Sequence, residues 1–508
     1  MAGFKTAAVF SSDMVLQRDK NVSVFGWAED GTRLTVNVEP IGAYAECTAE
    51  NGRFEAVLPP MSAADGCTVT VSDGKDKKVF TNVAVGEVWL AGGQSNMEFE
   101  LQNCIGGRDV LEGLGNTNVR FYYTNKISYI DDDFYKKEEA TGWQTEKSEN
   151  ARSWSAVGYF FARRLAERLG VTVGVIGCNW GGTSASAWMS MEVLAKSSET
   201  IVYKEDYERI MDSLVMEDYL KARSEYIEYH TAWDKKQQEL YRTKPDATWN
   251  EVLAYAGECR WPGPMGPMHE YRPAGLYETM LKRVMPYTLK GFIYYQGESD
   301  DHRPDNYFTL LKNMIQLWRD DWSDDELPFL FVQLPMFKNK DDPDFKNWAK
   351  IREAQYRTYL TVKNTSMANI IDCGEFNDIH PKDKLPVGER LAALAMQDVY
   401  GFEDVNAHAP EYRSMLVKNG KAFLSFRNAD NGFETRGSKA SGFELAGRDK
   451  HFFAADAVIK GSSIIVSAAE VNEPAYVRYL WTNYADVTVF GVNPSLPLTP
   501  FRTSRNDG

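Results

Sequence analysis

The first part of the chain consists of short apolar stretches that alternate with turn signals. Asn51-Gly52 lies between ECTAE and RFEAVLP, and Asp73-Gly74 lies between TVTVS and KDKKVF. Such dipeptides between alternating polar and apolar positions are typical of tight hairpin turns between strands. The pattern predicts an amino-terminal β-sandwich domain over residues 1–83.

The middle of the chain, residues 84–402, has a different rhythm. Apolar runs of strand length are separated by stretches with helical periodicity. In one such stretch, apolar residues recur at every fourth position from Val157 to Leu169, and Gly170 can cap the end of the helix. Near-continuous apolar strands that alternate with helices predict an α/β domain, with a parallel sheet covered on both faces. The runs are EVWLAG (87–92), TVGVIG (172–177), FIYYQ (292–296), PFLFVQL (328–334) and NIIDC (369–373).

Two further stretches complete the organisation of the chain. Residues 191–270, rich in Glu, Tyr and Lys, are predicted to form a mainly helical excursion from the α/β domain. After residue 402 the β pattern returns in VKNGKAFLSF, AVIKGSSIIVSA and AYVRYLW, with an Asn-Gly turn at 419–420. A second β-sandwich domain is therefore predicted over residues 403–508.

Length and charge agree with this division and exclude some partners. At roughly 150 residues per domain, 508 residues favour about three domains. The 57 basic and 72 acidic residues give a net charge of −15. This argues against nonspecific binding to nucleic acid or to an anionic membrane, because such binding requires clustered Lys and Arg. No apolar run approaches the roughly 18 residues of a membrane-spanning helix.

The cysteines and the opening residues bear on location. The six cysteines are scattered, form no CxxC pair and are expected to be buried free thiols. The opening MAGFKTAAVFSSDMVL has none of the regions of a secretory leader. We therefore expect a cytoplasmic protein, or a secreted or periplasmic one if a leader was removed.

Polar residues with catalytic potential follow the predicted strands. Ligands of a parallel α/β sheet gather outside the carboxyl ends of its strands. Acyl transfer needs a serine, a base that takes its proton, a carboxylate that orients the base, and donors that hold the oxyanion. The strand ends supply Ser95 at a strand-to-helix turn, the pair Gly181-Gly182, Gln296, and His380 with Asp378.

Each of these residues also has a structural interpretation. Ser95 and Glu98 match a capping box, so Ser95 could cap a helix and Glu98 could bond back to it. The glycine pair could form a tight turn, and Gln296 could satisfy loop backbone. Glu298 is expected to be a structural partner of neighbouring loops or to support the site. The co-occurrence of these residues at successive strand ends favours catalysis.

Histidine is scarce in this chain, with six in all. Four of them fall elsewhere in the predicted architecture: His230 in the excursion, His302 in a solvated loop, and His408 and His451 in the carboxyl-terminal domain. His380 lies in a polar loop after the last predicted strand, which makes it the strongest candidate for a general base.

Other catalytic motifs are absent. Met97 occupies the position of the second glycine of a G-x-S-x-G nucleophile elbow. No G-x-G-x-x-G follows the first central strand and no P-loop sequence occurs, so nucleotide binding is not indicated. No cluster of His, Cys and carboxylate residues has metal-ligand spacing, so no metal is predicted.

Four segments of the α/β domain are recognisable together: GEVWLAGGQSNMEFEL (86–101), IGCNWGGTSASAWM (176–189), FIYYQGESD (292–300) and DIHPKDKLPVGERLA (378–392). They resemble the sialate O-acetylesterase family of SGNH hydrolases. The flanking segments VFSSDMVLQRDKNVSVFGWA (9–28), SGFELAGRDKHFFAADAVI (441–459) and LPLTPFRT (496–503) resemble the terminal β domains of that family. The resemblance implies an SGNH-type, flavodoxin-like α/β/α core.

The resemblance also implies a function. It points to a serine esterase that removes O-acetyl groups from sugars, foremost 9-O-acetyl sialic acids, without metal or cofactor. At the positions that match the motifs of the family, the resemblance implies that Ser95 is the nucleophile and His380 is the base. The N–H groups of Ser95 and Gly182 and the side chain of Gln296 form the oxyanion hole.

The acid of the triad stays open in the sequence. The superfamily pattern places Asp three residues before the catalytic His, where this chain has Asn377. Asp378 is favoured, because residues two apart in an extended segment share a face. Glu375 and a backbone carbonyl are the alternatives.

The substrate is also open. Acetylated xylan or another hemicellulose is the second candidate. A sialic acid would need a basic clamp for its carboxylate, and Arg272 and Arg303 lie on suitable loops. A noncatalytic carbohydrate-binding protein is the alternative from another class. The expected partner is thus an O-acetylated carbohydrate, with neither nucleic acid nor membrane, and the sequence predicts no oligomeric state.

Overall fold

The amino-terminal region is built from eight strands. The protein is described here from a computed structural model that covers residues 3–115, 118–131, 133–244, 247 and 249–507. β1, β3 and β6 form one sheet. β2 and β7 pair with β8, and β4 lies between β7 and β5. The strands are β1 (Phe4–Thr6), β2 (Val15–Gln17), β3 (Val22–Ala28), β4 (Arg33–Glu39), β5 (Ala43–Thr48), β6 (Arg53–Leu58), β7 (Ala64–Ser72) and β8 (Lys77–Gly93).

Strand β8 joins this region to the central sheet. Its first residues are exposed or half-buried, whereas all residues from Val83 to Gly93 are buried. The hydrophobic core of the amino-terminal region is continuous with that of the α/β region. The predicted domain boundary after residue 83 thus lies within one strand, at the point where the strand enters a sheet covered on both faces.

The central sheet has six parallel strands in the order β9-β11-β8-β12-β13-β14, with β10 antiparallel at the β9 edge. Their nearly complete burial agrees with the apolar runs in the sequence. The order β11-β8-β12-β13-β14 is compatible with the flavodoxin-like core, which stays a prediction. The added strands are β9 (Val119–Tyr123), β10 (Gln144–Thr145), β11 (Val173–Asn179), β12 (Gly291–Tyr295), β13 (Phe329–Gln333) and β14 (Thr365–Asn369).

The last central strand is displaced from its predicted place. The apolar run at 369–373 suggests a strand, but β14 comprises the preceding TSMAN, and residues 371–373 form a short helical turn. Ile371 leaves the sheet to pack in the core of the carboxyl-terminal region. The prediction of a strand at 369–373 is therefore wrong, because the isoleucine is buried by another part of the chain.

Helices cover both faces of the sheet. Gly291 pairs with Trp89, and Phe292 therefore points to the opposite face from Trp89. Phe161 of α5 contacts Trp89, and Trp318 of α11 contacts Phe292. The helices are α1 (Ser95–Glu98), α2 (Gly107–Glu112), α3 (Phe134–Glu139), α4 (Ser148–Ala151), α5 (Ala156–Leu169), α6 (Met191–Leu194), α7 (Ser198–Asp212), α8 (Met216–Thr243), α9 (Trp249–Ala256), α10 (Lys282–Val284), α11 (Tyr307–Asp321), α12 (Asn347–Thr361) and α13 (Leu385–Leu394).

The segment between residues 191 and 256 contains α6 to α9. A small hydrophobic cluster of Trp233, Val252 and Ala256 joins α8 to α9. Residues 245, 246 and 248 of the predicted excursion lie outside the described part of the chain. The excursion returns to the sheet edge through Trp261 and Tyr271, which contact each other.

The carboxyl-terminal region is again rich in strands. Its sheets have the orders β15-β16-β21-β20, β17-β23 and β19-β18-β22-β24. Asn419-Gly420, both with positive φ, forms the predicted turn between β15 and β16. The strands are β15 (Glu411–Lys418), β16 (Lys421–Arg427), β17 (Phe433–Thr435), β18 (Phe443–Ala446), β19 (Phe452–Ala454), β20 (Asp456–Lys460), β21 (Ser463–Ser467), β22 (Tyr476–Tyr479), β23 (Val489–Gly491) and β24 (Phe501–Arg502).

The structure thus confirms an α/β core with additional β-rich sheets, while a sandwich geometry of the flanks stays a prediction. All six cysteines lie among the described residues and are free, three of them buried and three half-buried. Within the same described ranges, no helix has the length and hydropathy needed to cross a membrane.

Candidate active site

Ser95 is the first residue of α1, directly after β8 and a sharp turn. Gly93 has φ +135°, and a Cβ there would lie 2.1 Å from the carbonyl oxygen of Tyr295. Only glycine fits this close approach. The N–H of Gln94 donates to the same carbonyl at 3.0 Å, which fixes the turn beside β12. The hydroxyl of Ser95 is thereby presented at the carboxyl edge of the sheet.

The capping box that Ser95 and Glu98 could have formed is not present. The residue at the cap position is Gln94, and α1 has no side-chain cap. Glu98 Oε2 instead accepts the N–H of Gly181 at 2.8 Å, and its Oε1 pairs with Lys126. The Ser95 hydroxyl is therefore available to another partner.

That partner is His380. The Nε2 atom of His380 lies 2.8 Å from Ser95 Oγ, and both residues are partly exposed. The loop after β14 is held in place from two sides. The backbone N–H of His380 donates to Asp378 Oδ1 at 2.9 Å, and the carbonyl of Ile379 accepts from Asn96 Nδ2 at 2.9 Å. A hydroxyl and an imidazole at this distance can exchange a proton.

The structure shows the contacts of the two acidic candidates for the triad, Asp378 and Glu375, and of Asn377, which stands where the superfamily has its Asp. Asp378 contacts His380, but through the backbone N–H and not through the ring. Glu375 accepts the N–H of Lys382, and Asn377 accepts the N–H of Lys340, so both shape neighbouring loops. Among the described residues none of the three has a hydrogen bond to the imidazole. Asp378 as the triad acid stays a prediction.

Two backbone N–H groups are free at the same edge. Gly182 has φ +75°, and a Cβ there would lie 2.0 Å from Tyr271 Oη, so the position requires glycine. In the part of the chain that the structure describes, the N–H groups of Ser95 and Gly182 have no acceptor. A Cβ on Gly181 would lie 3.1 Å from Ser95 Cβ, which shows that the two loops touch. Free N–H groups on touching loops can hold an oxyanion.

Gln296 does not join this pair. Its Nε2 donates to Asp300 Oδ2 at 2.6 Å and to the carbonyl of Thr183 at 3.2 Å. Its Oε1 accepts from Tyr307 at 2.9 Å. The buried amide has no spare hydrogen for an oxyanion, so the structure does not support this predicted role. Gln296 instead connects the loops that follow β11 and β12.

A buried network lies behind Ser95. Asn96 Nδ2 donates to Glu298 Oε1 at 2.6 Å, and Lys384 Nζ donates to Asn96 Oδ1 at 2.5 Å. Burial raises the pKa of Glu298 to about 7 and lowers the pKa of Lys384 to about 8. The side-chain amide of Asn96 thus links buried Glu298 and Lys384 to the loop that carries His380. Glu298 was predicted as a supporting residue, whereas Asn96 and Lys384 were not identified from the sequence.

The surroundings of His380 favour its neutral form. Burial is the main cause that lowers the pKa of the imidazole, and the positive charge of Lys384 lowers it further. Asp378 and Glu98 act in the opposite direction. A neutral imidazole at neutral pH is the form that can accept a proton from Ser95.

Aromatic side chains border the site on one side. Trp261, half exposed, and Tyr271 both lie against the backbone of Gly182, with ring centroids 5.5 Å apart. Tyr271 donates to the carbonyl of Gly181 at 3.3 Å. Trp261 could not be identified from the sequence, because the excursion that carries it returns to the site only in three dimensions.

The two arginines considered as carboxylate clamps are engaged. Arg303 pairs with Asp206 and lies over Tyr203. Arg272 donates to the carbonyl of Ser128 at 3.4 Å and lies 3.7 Å from Glu278. The guanidinium of Arg303 is thus taken up by Asp206, whereas the Nε atom of Arg272 is buried without a hydrogen-bond partner in the described part of the chain. In the described ranges, no group of three or more His, Cys, Asp and Glu side chains could hold a metal ion.

Comparisons with known proteins match part of this site and nearly the whole chain. Residues 265–397, which include Gln296 and His380, match the model of the family described as carbohydrate esterase, sialic acid-specific acetylesterase. The chain is 25% identical to a sialate O-acetylesterase of Mus musculus over 98% of this chain and 94% of that protein. It is 23% identical to a sialate O-acetylesterase of Homo sapiens over 98% of this chain and 92% of that protein.

A solved structure agrees with these matches. A carbohydrate acetylesterase from Xanthomonas citri superposes with a TM-score of 0.77 at 28% identity, over 99% of this chain and 100% of that chain. The chain is a carboxylic ester hydrolase. The resemblance of this esterase to the sialate O-acetylesterase family is confirmed along nearly the whole sequence.

The pKa of His380 in the resting esterase is expected to lie below the ordinary value of 6.5, because burial and Lys384 both disfavour the imidazolium. Lys384→Met removes the ammonium group and should raise this pKa. The measurement is an NMR titration of the imidazoles, with His380→Asn to assign the signal. Lys382→Met, an exposed lysine of the same loop, is the control and should change nothing. A pKa above 6.5, or no rise in Lys384→Met, would contradict the account.

Proposed function

We propose that the esterase removes O-acetyl groups from carbohydrates through an acetyl-serine intermediate. The observation that carries this proposal is the 2.8 Å contact between Ser95 Oγ and His380 Nε2, beside two free N–H groups. Serine needs a base to become a nucleophile, and the tetrahedral intermediate needs donors already in place. The names of the similar proteins support the acetylated carbohydrate as substrate.

In the first half-reaction Ser95 attacks the acetyl carbonyl carbon while His380 takes the hydroxyl proton. The carbonyl oxygen becomes an oxyanion between the N–H groups of Ser95 and Gly182. When the intermediate collapses, the bond to the sugar oxygen breaks and His380 returns the proton to that oxygen. The products are the free sugar hydroxyl and acetyl-Ser95.

In the second half-reaction water attacks the acetyl carbon of acetyl-Ser95. His380 takes a proton from the water, the same N–H groups hold the second oxyanion, and His380 then protonates Ser95 Oγ. Acetate leaves and the resting pair is restored. Asp378, whose charge favours the imidazolium, would stabilise His380 in both steps.

Among acetylated sugars, 9-O-acetyl sialic acids are the first substrate class of the proposal, as the names of the relatives support. An uncharged hemicellulose such as acetylated xylan is the second. The ion pair of Arg303 with Asp206 favours this second class, since it leaves that guanidinium unavailable to a sialic acid carboxylate. Acetate release from the two substrates, compared as kcat/KM, distinguishes the classes.

Ser95→Ala should lower kcat for an aryl acetate by roughly 10⁴–10⁶-fold, because no other group replaces the nucleophile. The assay is the release of 4-nitrophenol from its acetate. Ser198→Ala, an exposed serine at the start of α7, is the matched control and should keep the wild-type rate. Equal rates in Ser95→Ala and the wild type would refute the serine mechanism, and equal rates at the uncatalysed background would indicate a noncatalytic binding protein.

Trp261→Ala should lower kcat/KM for an acetylated sugar by roughly 3- to 10-fold, since an exposed indole beside Gly182 offers a stacking surface for the sugar ring. The small aryl acetate should be affected less, because its acetyl group reaches Ser95 without a sugar ring. Tyr255→Ala, equally exposed on α9, is the control. If both substrates lose activity equally, Trp261 does not bind the sugar.

A further inference from the structure

A cavity lies between the α/β core and the carboxyl-terminal region, apart from Ser95 and His380. Its volume is about 480 Å³, within the usual range of small-molecule sites. Its walls come from α11, α12, the connections that precede these helices, and the residues around β22 and β24.

The walls of this cavity are strongly basic. Two acidic side chains face it, Asp305 and Glu353. Six basic side chains line it: Lys346, Lys350, Arg357, Arg478, Arg502 and Arg505. In a chain with a net charge of −15, such a local excess of positive charge is unexpected. It creates a positive potential inside a concave surface.

Most of these cations are neutralised by neighbours. Arg502 pairs with both Glu353 and Asp507, at 2.7 and 2.8 Å. Arg478 pairs with Asp507 as well. Lys346 and Lys350 pair with Asp344 and Asp305, respectively.

Arg357 and Arg505 are the two basic residues of the cavity for which the described residues provide no ion pair. Among the described residues neither forms an ion pair or a side-chain hydrogen bond. Burial lowers the pKa of Arg357, and the nearby charges of Arg505 and Arg502 lower it further, whereas Glu353 acts in the opposite direction. These guanidinium groups therefore repel one another across the cavity. An anion between them would relieve this repulsion and accept hydrogen bonds from both.

Aromatic rings lie beside the basic groups. The guanidinium of Arg357 lies 3.9 Å from the ring centroid of Phe308, which holds it in place. Phe345 is 73% exposed at the same cavity. An exposed ring next to two unpaired guanidinium groups suits a ligand that combines an apolar face with a carboxylate.

We propose that this cavity binds an acidic sugar, with its carboxylate held by Arg357 and Arg505 and its ring placed against Phe345. The anion site rests on the cavity alone, whereas the sugar class rests on the proposed function. Such a site would hold a charged glycan by a group other than the acetyl ester that Ser95 attacks.

The test is calorimetric titration of the full-length protein with N-acetylneuraminic acid, which has the carboxylate but no O-acetyl ester. The double variant Arg357→Gln/Arg505→Gln should weaken binding at least about tenfold, because charge-assisted hydrogen bonds are lost. Hydrolysis of 4-nitrophenyl acetate should stay at the wild-type rate. Arg413→Gln, an exposed arginine of β15, is the matched control and should bind like the wild type.

Two further probes separate the possible ligands. The methyl ester of N-acetylneuraminic acid, with the same ring but no charge, should bind more weakly to the wild type. Inorganic phosphate should bind more weakly than the sugar. Unchanged affinity in the double variant, or equal affinity for the methyl ester, would overturn the proposal. Phosphate that binds as tightly as the sugar would overturn its sugar class. Loss of esterase activity in Ser95→Ala tests the proposed function independently of these results.

Discussion

The hydrogen bond between Ser95 and His380 joins residues 285 positions apart and depends on the whole central sheet. Ser95 follows β8, which lies between β11 and β12, while the His380 loop follows β14 at one edge of the same sheet. The two residues meet because the parallel strands present their carboxyl ends at a common edge. Gly93 makes the first turn tight enough, and Asn96 holds the carbonyl beside His380.

Asn96 gives this arrangement its rigidity. Its side chain bonds at once to Glu298, to Lys384 and to the carbonyl of Ile379. Buried ionisable groups are costly unless they are hydrogen-bonded, so Glu298 and Lys384 fix Asn96 in one orientation. The residue that follows the candidate nucleophile thereby positions the loop of the candidate base. Lys384 therefore has two effects on the site. It fixes the orientation of Asn96, and its positive charge favours the neutral form of His380.

Much of the central sheet and of the candidate site could be predicted from the sequence. The apolar runs predict the parallel sheet, and its strand ends bring together Ser95, Gly182 and His380. The role of Gln296 could not be predicted, because the direction of its amide is set by Asp300 and Thr183 on other loops. Trp261 and Lys384 could not be identified for a related reason. Trp261 reaches the site at the end of a long excursion, and Lys384 is buried only because α13, which it precedes, packs against the core.

Activation of Ser95 by His380 can be tested directly by labelling with an alkyl fluorophosphonate, followed by peptide mass spectrometry. Such a probe reacts with a serine whose hydroxyl is activated by a neighbouring base. We expect a single labelled peptide modified at Ser95, and loss of the label in His380→Asn. Labelling of another residue, or equal labelling of Ser95 when His380 is replaced, would contradict it.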